Sequence, residues 1–327
     1  MPRTQPMTLE VWEGRWGLPS IDTTSLEVMA YAKFSGAPLK VVKLRNPFFT
    51  RTGRLPVFSH GSTILENPAD IVLHFRKENH NADYELSPKE SADVVAYASL
   101  VHSKLLPGIL HNQWLDENNY IEFTRPNFAK ILPIPFNYYY PGAFQREARR
   151  RLFSAYGLDH TAQESMMEDG FMSTIETAVH KNAVECLTLL SNRLGDKEYF
   201  FGQSPCFLDA VVFAHLAPLL KFPFPNSPLQ NHLKGCPNLV AFIERILLRY
   251  FPPTPEGIVD EDEPFREKLK RNIGAALVAG SAMLAYAFFS GILRIQTQRR
   301  VDYPDINEME EDYGEEEKVE EQNENQE

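Results

Sequence analysis

Cysteine is scarce: the 327 residues hold three, Cys186, Cys206 and Cys236, with no pair at CxxC spacing. That excludes a disulfide framework and points to a reducing compartment. The first twenty residues contain no apolar run of seven or more, so no secretory signal peptide is expected. A Gly-rich phosphate loop of the Walker type is missing. The nine histidines lack metal-ligand spacing along the chain: His74 and His80 stand six apart, and His180 and Cys186 are isolated from other ligands. A basic surplus is absent too. The formal charge is −11, but residues 294–327 hold 13 of the 44 acids and only four of the 33 bases. That segment therefore carries −9 and the remaining 293 residues only −2. The acidity belongs to a solvated tail, and the body has no phosphate-tracking surface, so nucleic acid is not an expected partner.

What the sequence does have is one long uncharged run. Ile273 to Leu293 reads IGAALVAGSAMLAYAFFSGIL, bounded by Lys270 and Arg271 on one side and Arg294 on the other. As a helix, 21 residues reach about 31 Å, the thickness of a bilayer's hydrocarbon core. The run shows no polar stripe of the kind a core helix carries. It is therefore read as a membrane anchor, with Ile273, Gly274, Ala276, Leu277, Gly280, Leu284, Phe288, Phe289, Gly291 and Leu293 among its membrane-facing or helix-packing residues. Gly, Ala and Ser supply 11 of its 21 positions, and Ala276 and Gly280 stand at the spacing that lets helices approach closely. Modest hydrophobicity with Arg294, Arg299 and Arg300 on the distal flank suits a mitochondrial outer-membrane tail anchor. The endoplasmic reticulum is the alternative. The body would face the cytosol.

Before that run, hydrophobic periodicity changes once. Leu9 to Trp12, Pro38 to Leu44, Leu55 to Phe58 and Thr63 to Leu65 read as strands, with a helix from near Asp22 to Gly36 and another opening at Asn67-Pro68. The order β-α-β, hairpin, helix predicts a thioredoxin-like domain over 1–80, whose first two strands run parallel. Pro56, before the third strand, is expected to follow a cis peptide as in that fold. From Ser87 onward helical spacing dominates, in Ala92–Leu110, Ala143–Tyr156, Ser165–Leu194, Leu208–Leu220 and Pro237–Tyr250. The organisation expected is thus α/β plus all-α: a thioredoxin-like domain at 1–80, an all-helical domain at 81–251, a linker at 252–272, a transmembrane helix at 273–293 and an acidic tail at 294–327.

A thioredoxin-like half followed by helices is the glutathione-transferase architecture. The passage FFGQSPCFLDAVVFAHLAPLL, Phe200 to Leu220, resembles the start of that family's second-domain helix, with Asp209 where its capping-box acid sits and Cys206 where a Ser or Thr cap is usual. More specifically, WGLPS (Trp16–Ser20), YAKFSGAPLKV (Tyr31–Val41), NADYELS (Asn81–Ser87), KLLP (Lys104–Pro107) and ECLTLLSNRLG (Glu185–Gly195) resemble the metaxins, and the C-terminal run points to the family members that carry a span. The resemblance covers about residues 9–293. It implies a subunit of the mitochondrial outer membrane that pairs with metaxin-2 and serves preprotein import together with the sorting and assembly machinery.

The resemblance does not bring transferase chemistry with it. A glutathione transferase activates a thiol with a Tyr, Ser or Cys donor after its first strand and holds the γ-glutamyl end with an acid followed by Ser. Here the loop Glu13 to Asp22 offers only Ser20, and Glu66 is followed by Asn67. Turn and capping roles account for both. No catalytic, cofactor or metal residue is expected, and the leading reading is a non-enzymatic scaffold. A mitochondrial adaptor binding transport motors and a residual glutathione-dependent transferase are the alternatives. Arg146, Arg149, Arg150 and Arg151 form the densest basic cluster, either a solvated helix face or a contact for anionic lipid headgroups or an acidic partner.

Overall fold

A computed structural model describes residues 6–50, 53–157, 169–252, 277–286 and 289–290. Four strands form one sheet in the order β2-β1-β3-β4: β1 (Met7–Trp12), β2 (Leu39–Leu44), β3 (Val57–His60) and β4 (Thr63–Leu65). β1 and β2 are parallel, with Leu9 opposite Val41. β3 is antiparallel to both neighbours, placing Phe58 between Leu9 and Leu65. Met7, Leu9 and Val11 turn to one buried face, as the two-residue period of a strand requires. The Leu55-Pro56 peptide ahead of β3 is cis, at the position the fold reading indicated.

Helix α1 (Thr23–Ser35) crosses between β1 and β2. Asp22 caps it by accepting the Ser25 N–H at 2.8 Å, and Gly36 ends it at φ +68°, a left-handed turn that a side chain resists. Leu26, Val28, Met29, Ala30 and Tyr31 are all buried, with the helices Pro68–Lys77 and Phe207–Lys221 packed on α1. Helix α2 (Pro68–Lys77) starts as its sequence indicates, with Asn67 accepting the Ala69 N–H and Pro68 in the first turn; Ile71, Val72 and Phe75 face the core.

The helical region opens with α3 (Pro88–Leu100), whose Ser87 and Glu90 form a reciprocal capping box. It runs on through α4 (Leu106–Leu110), α5 (Glu117–Asn119) and α6 (Arg125–Ile131), separated by wide π turns at Val101–Leu105, His111–Leu115 and Tyr120–Thr124. Pro107 and Pro126 follow two of these turns. A proline lacks the N–H for an α-helical bond and its ring crowds the preceding carbonyls, and a wider turn relieves both. Periodicity alone did not indicate helix over 111–131, since the π turns shift the apolar phase.

Helix α7 (Phe136–Ala155) starts seven residues before the predicted Ala143 and carries Pro141 inside it. Then come α8 (Asp169–Leu194), α9 (Phe207–Lys221), α10 (Pro228–Lys234) and α11 (Pro237–Tyr250). The predicted start of α8 at Ser165 lies outside the described residues. α9 is the central element, buried from Leu208 to Leu219, and packs on α1, α3 and α11. α11 turns Leu239, Phe242, Ile243, Ile246 and Leu247 inward, as its three- and four-residue spacing indicates, while Tyr250 on the same face is half-buried. Each such side chain contributes roughly 1.5–3 kcal/mol on burial.

Met1–Arg271 forms one compact unit and Asn272–Glu327 another. In the second unit residues 277–286 are helical, and Leu277, Val278, Met283, Leu284, Tyr286 and Phe289 are exposed. Ten helical residues reach only about 15 Å. Among the described residues no helix is long and apolar enough to cross a membrane, so they do not bear out the crossing helix expected at 273–293. Its remaining residues, Ile273, Gly274, Ala276, Phe288, Gly291 and Leu293, lie outside the described residues, as do the linker from 253 and the tail from 294.

Candidate functional site

Two passages singled out in the sequence, Tyr31–Val41 and Asn81–Ser87, meet at one hub between sheet and helices. The buried Tyr31 hydroxyl lies 3.3 Å from Asn81 Oδ1 and 3.2 Å from Asp83 Oδ2, and it accepts from Arg76 Nε at 3.2 Å and the Ala82 N–H at 3.3 Å. Arg76 Nη2 donates to Asp83 Oδ2 at 2.7 Å, and its guanidinium covers the rings of Tyr31 and Phe207 at 5.7 and 5.6 Å. Asp83 Oδ1 accepts the Phe207 N–H at 2.7 Å. The helix terminus of α9 is thereby tied to the segment following α2. Burial, and next the Asp83 charge, push the Tyr31 hydroxyl above its ordinary pKa, which keeps it neutral and able to donate.

Asp209 completes the same helix start. Its Oδ2 accepts the Cys206 N–H at 2.8 Å and faces the Cys206 thiol at 3.1 Å, while Oδ1 accepts the Phe200 N–H at 3.0 Å. Burial raises its carboxyl to about 6 against the pull of these donors. The thiol at the cap acts as donor to the carboxylate. Burial, then the Asp209 charge, raise the Cys206 thiol, and burial pushes Cys186 up to about 12. Both are therefore thiols, not nucleophilic thiolates, at neutral pH.

The first loop, Glu13 to Asp22, is closely packed. Gly14 has no room for a Cβ, which would stand 2.0 Å from the Leu18 carbonyl oxygen. Glu13 is paired with Arg45 at 2.6 Å. Trp16 packs on Phe123 and Phe222 at centroid distances of 5.2 and 4.9 Å, joining the loop to the helical region. Ser20 is wholly buried and accepts the Asp22 N–H at 3.3 Å. Asn67 caps α2.

Comparison with known proteins accounts for this pattern. A family model described as "Outer mitochondrial membrane transport complex protein" (Tom37) matches residues 25–145, and one described as "Glutathione S-transferase, C-terminal domain" matches 183–246. Metaxin-1 of Macaca fascicularis is 44% identical over 304 residues, covering 89% of this chain and 92% of that protein. The chain belongs to the metaxin family. Metaxin-3 of Xenopus laevis is 43% identical over 251 residues, covering 77% and 79%, and a metaxin-1 homolog of Caenorhabditis briggsae 33% over 276, covering 82% and 79%. Among solved structures, a glutathione S-transferase III in apo form aligns with TM-score 0.47 at 13% identity, over 79% of this chain and 99% of that one. The transferase-like fold rests on the sheet order and the matched C-terminal domain.

In this metaxin the five motifs mark joints. Lys104 pairs with Glu185 at 3.0 Å, linking KLLP to ECLTLLSNRLG, and Ser191 and Asn238 tie α8 to α11 at 2.8 Å. The basic cluster is partly neutralised: Arg150 and Arg151 both pair with Glu147, and Arg146 covers the Tyr139 ring at 5.9 Å. Beside it Tyr138, Tyr139 and Ile134 are exposed, an aromatic and basic surface that the charge count alone did not reveal.

Proposed function

We propose that this metaxin is a non-catalytic subunit of mitochondrial protein import at the outer membrane. The observation that carries the reading is likeness to metaxin-1 along 89% of the chain, joined to the transport-complex family match over 25–145. The filled first loop and protonated thiols agree with a transferase fold kept for its surfaces. On this reading residues 273–293 anchor the protein in the bilayer; the uncharged run and the exposed apolar side chains of 277–286 support it. The body faces the cytosol, and metaxin-2 and the sorting and assembly subunits for β-barrel proteins are its partners.

Affinity purification from mitochondria, with and without residues 273–327, tests this. Recovery of metaxin-2 and barrel-assembly subunits with the full chain is the expected result. Recovery of motor proteins alone would replace the import role with an adaptor role.

A further inference from the structure

The strand-end His60 and two residues of the α2 segment, His74 and Glu78, come together although 18 positions separate the first from the last. His60 Nδ1 lies 3.0 Å from His74 Nε2, and one ligand atom from each of the three residues lies within 4.8 Å of the others. Sequence spacing relates His74 to Glu78, four positions on, but gives no sign of His60, which only the fold brings to them.

We propose that His60, His74 and Glu78 form a binding site for a borderline divalent transition-metal ion of the Zn2+ class. Two imidazoles and a carboxylate are the three-ligand set such ions take, with the fourth position left to water. Tetrahedral zinc at Zn–N distances near 2.05 Å needs nitrogens about 3.3 Å apart, so the rings must part by only a few tenths of an ångström.

Each ligand is placed by its own backbone. His60 faces Thr63 across the hairpin register. His74 and Glu78 stand four apart along the end of α2 and therefore share a face. The Glu78 N–H bonds the carbonyls of His74 and Phe75 at 3.0 and 3.1 Å, which fixes the helix end. The Phe58 ring packs against His74 at 5.2 Å, holding that imidazole on the β3 side. The carbonyl end of a helix favours a cation. Glu78 is exposed, so its carboxylate is free to swing onto the ion. A bound ion would clip the β3-β4 hairpin to α2.

The test uses the full chain purified in detergent and stripped with a chelator, titrated with Co2+ at pH 7.5. One equivalent should give the intense visible d–d bands of four-coordinate cobalt, Zn2+ should abolish them by displacement, and Zn2+ alone should raise the melting temperature by several degrees. His60→Ala and His74→Ala should each remove the bands. Glu78→Gln, an exposed change that does not threaten folding, should weaken Co2+ binding about tenfold or more, whereas His80→Ala should leave it intact. Absence of the bands in the unmodified chain, or bands equally strong in Glu78→Gln and His74→Ala, would overturn the proposal.

Discussion

Asp83 Oδ1 accepts the backbone N–H of Phe207 at 2.7 Å across 124 positions of sequence. Its other oxygen takes Arg76 at 2.7 Å. One carboxylate thus serves an ion pair and the first turn of the central helix α9. Asp83, the first acid of NADYELS, is placed where the sheet-bearing part and the helices join.

Replacing that acid separates the two roles. Asp83→Ala leaves the Phe207 N–H without its acceptor and Arg76 without its partner, and should cost roughly 2–3 kcal/mol. Asp83→Asn keeps an acceptor for Phe207 and should cost less than half as much, because the Arg76 pair is partly exposed. Urea melts of both variants check the ranking; equal losses would assign the effect to charge alone.

At the helix start, Asp209→Ala strands the N–H groups of Cys206 and Phe200 in a fully buried site and should cost about 3 kcal/mol or more. Cys206→Ser puts a hydroxyl oxygen at a cap that holds a weak sulfur acceptor, and should stabilise by about 0.5–1 kcal/mol. Thermal melts of the two variants should therefore move in opposite directions.

Glu27, buried in α1, has its carboxyl raised from 4.5 to about 7, first by burial and then by the Asp22 charge. A raised carboxyl means the folded state holds a proton the unfolded state has released. The stability it contributes is full below about pH 4.5 and is lost as pH rises through about 7. Glu27→Gln should remove this dependence. The variant should gain on the order of 2–3 kcal/mol over the unmodified chain at pH 8 and little at pH 4.5, measured as the difference in denaturant midpoints.

Gly108→Ala tests a close helix approach. The added Cβ would meet the Ala183 Cβ at 2.5 Å, wedging α4 from α8. A loss of roughly 1–3 kcal/mol is expected, and Gly108→Ala combined with Ala183→Gly should recover most of it.

Much of this fold was legible in the sequence because local signals agreed with it. Asp22, Asn67-Pro68 and Gly36 mark helix ends where caps are found, and the stripe of α11 reads directly as its buried face. The stretch 111–131 was not legible, since π turns break the 3.6-residue phase, and α7 extends seven residues ahead of the apolar spacing that marks it, with Pro141 inside. Asp209 was found from its position in a capping box. The Tyr31-Arg76-Asp83 hub was not, because its members come from three segments and only folding unites them. The His60-His74 contact escaped notice for the same reason.

The most direct test of the import role is the assembly rate of a radiolabelled β-barrel precursor in mitochondria depleted of this protein. Assembly into the outer membrane is expected to slow several-fold and to be restored by the full chain and by Ser20→Ala, whose hydroxyl serves a turn. An unchanged rate of barrel assembly after depletion would contradict it.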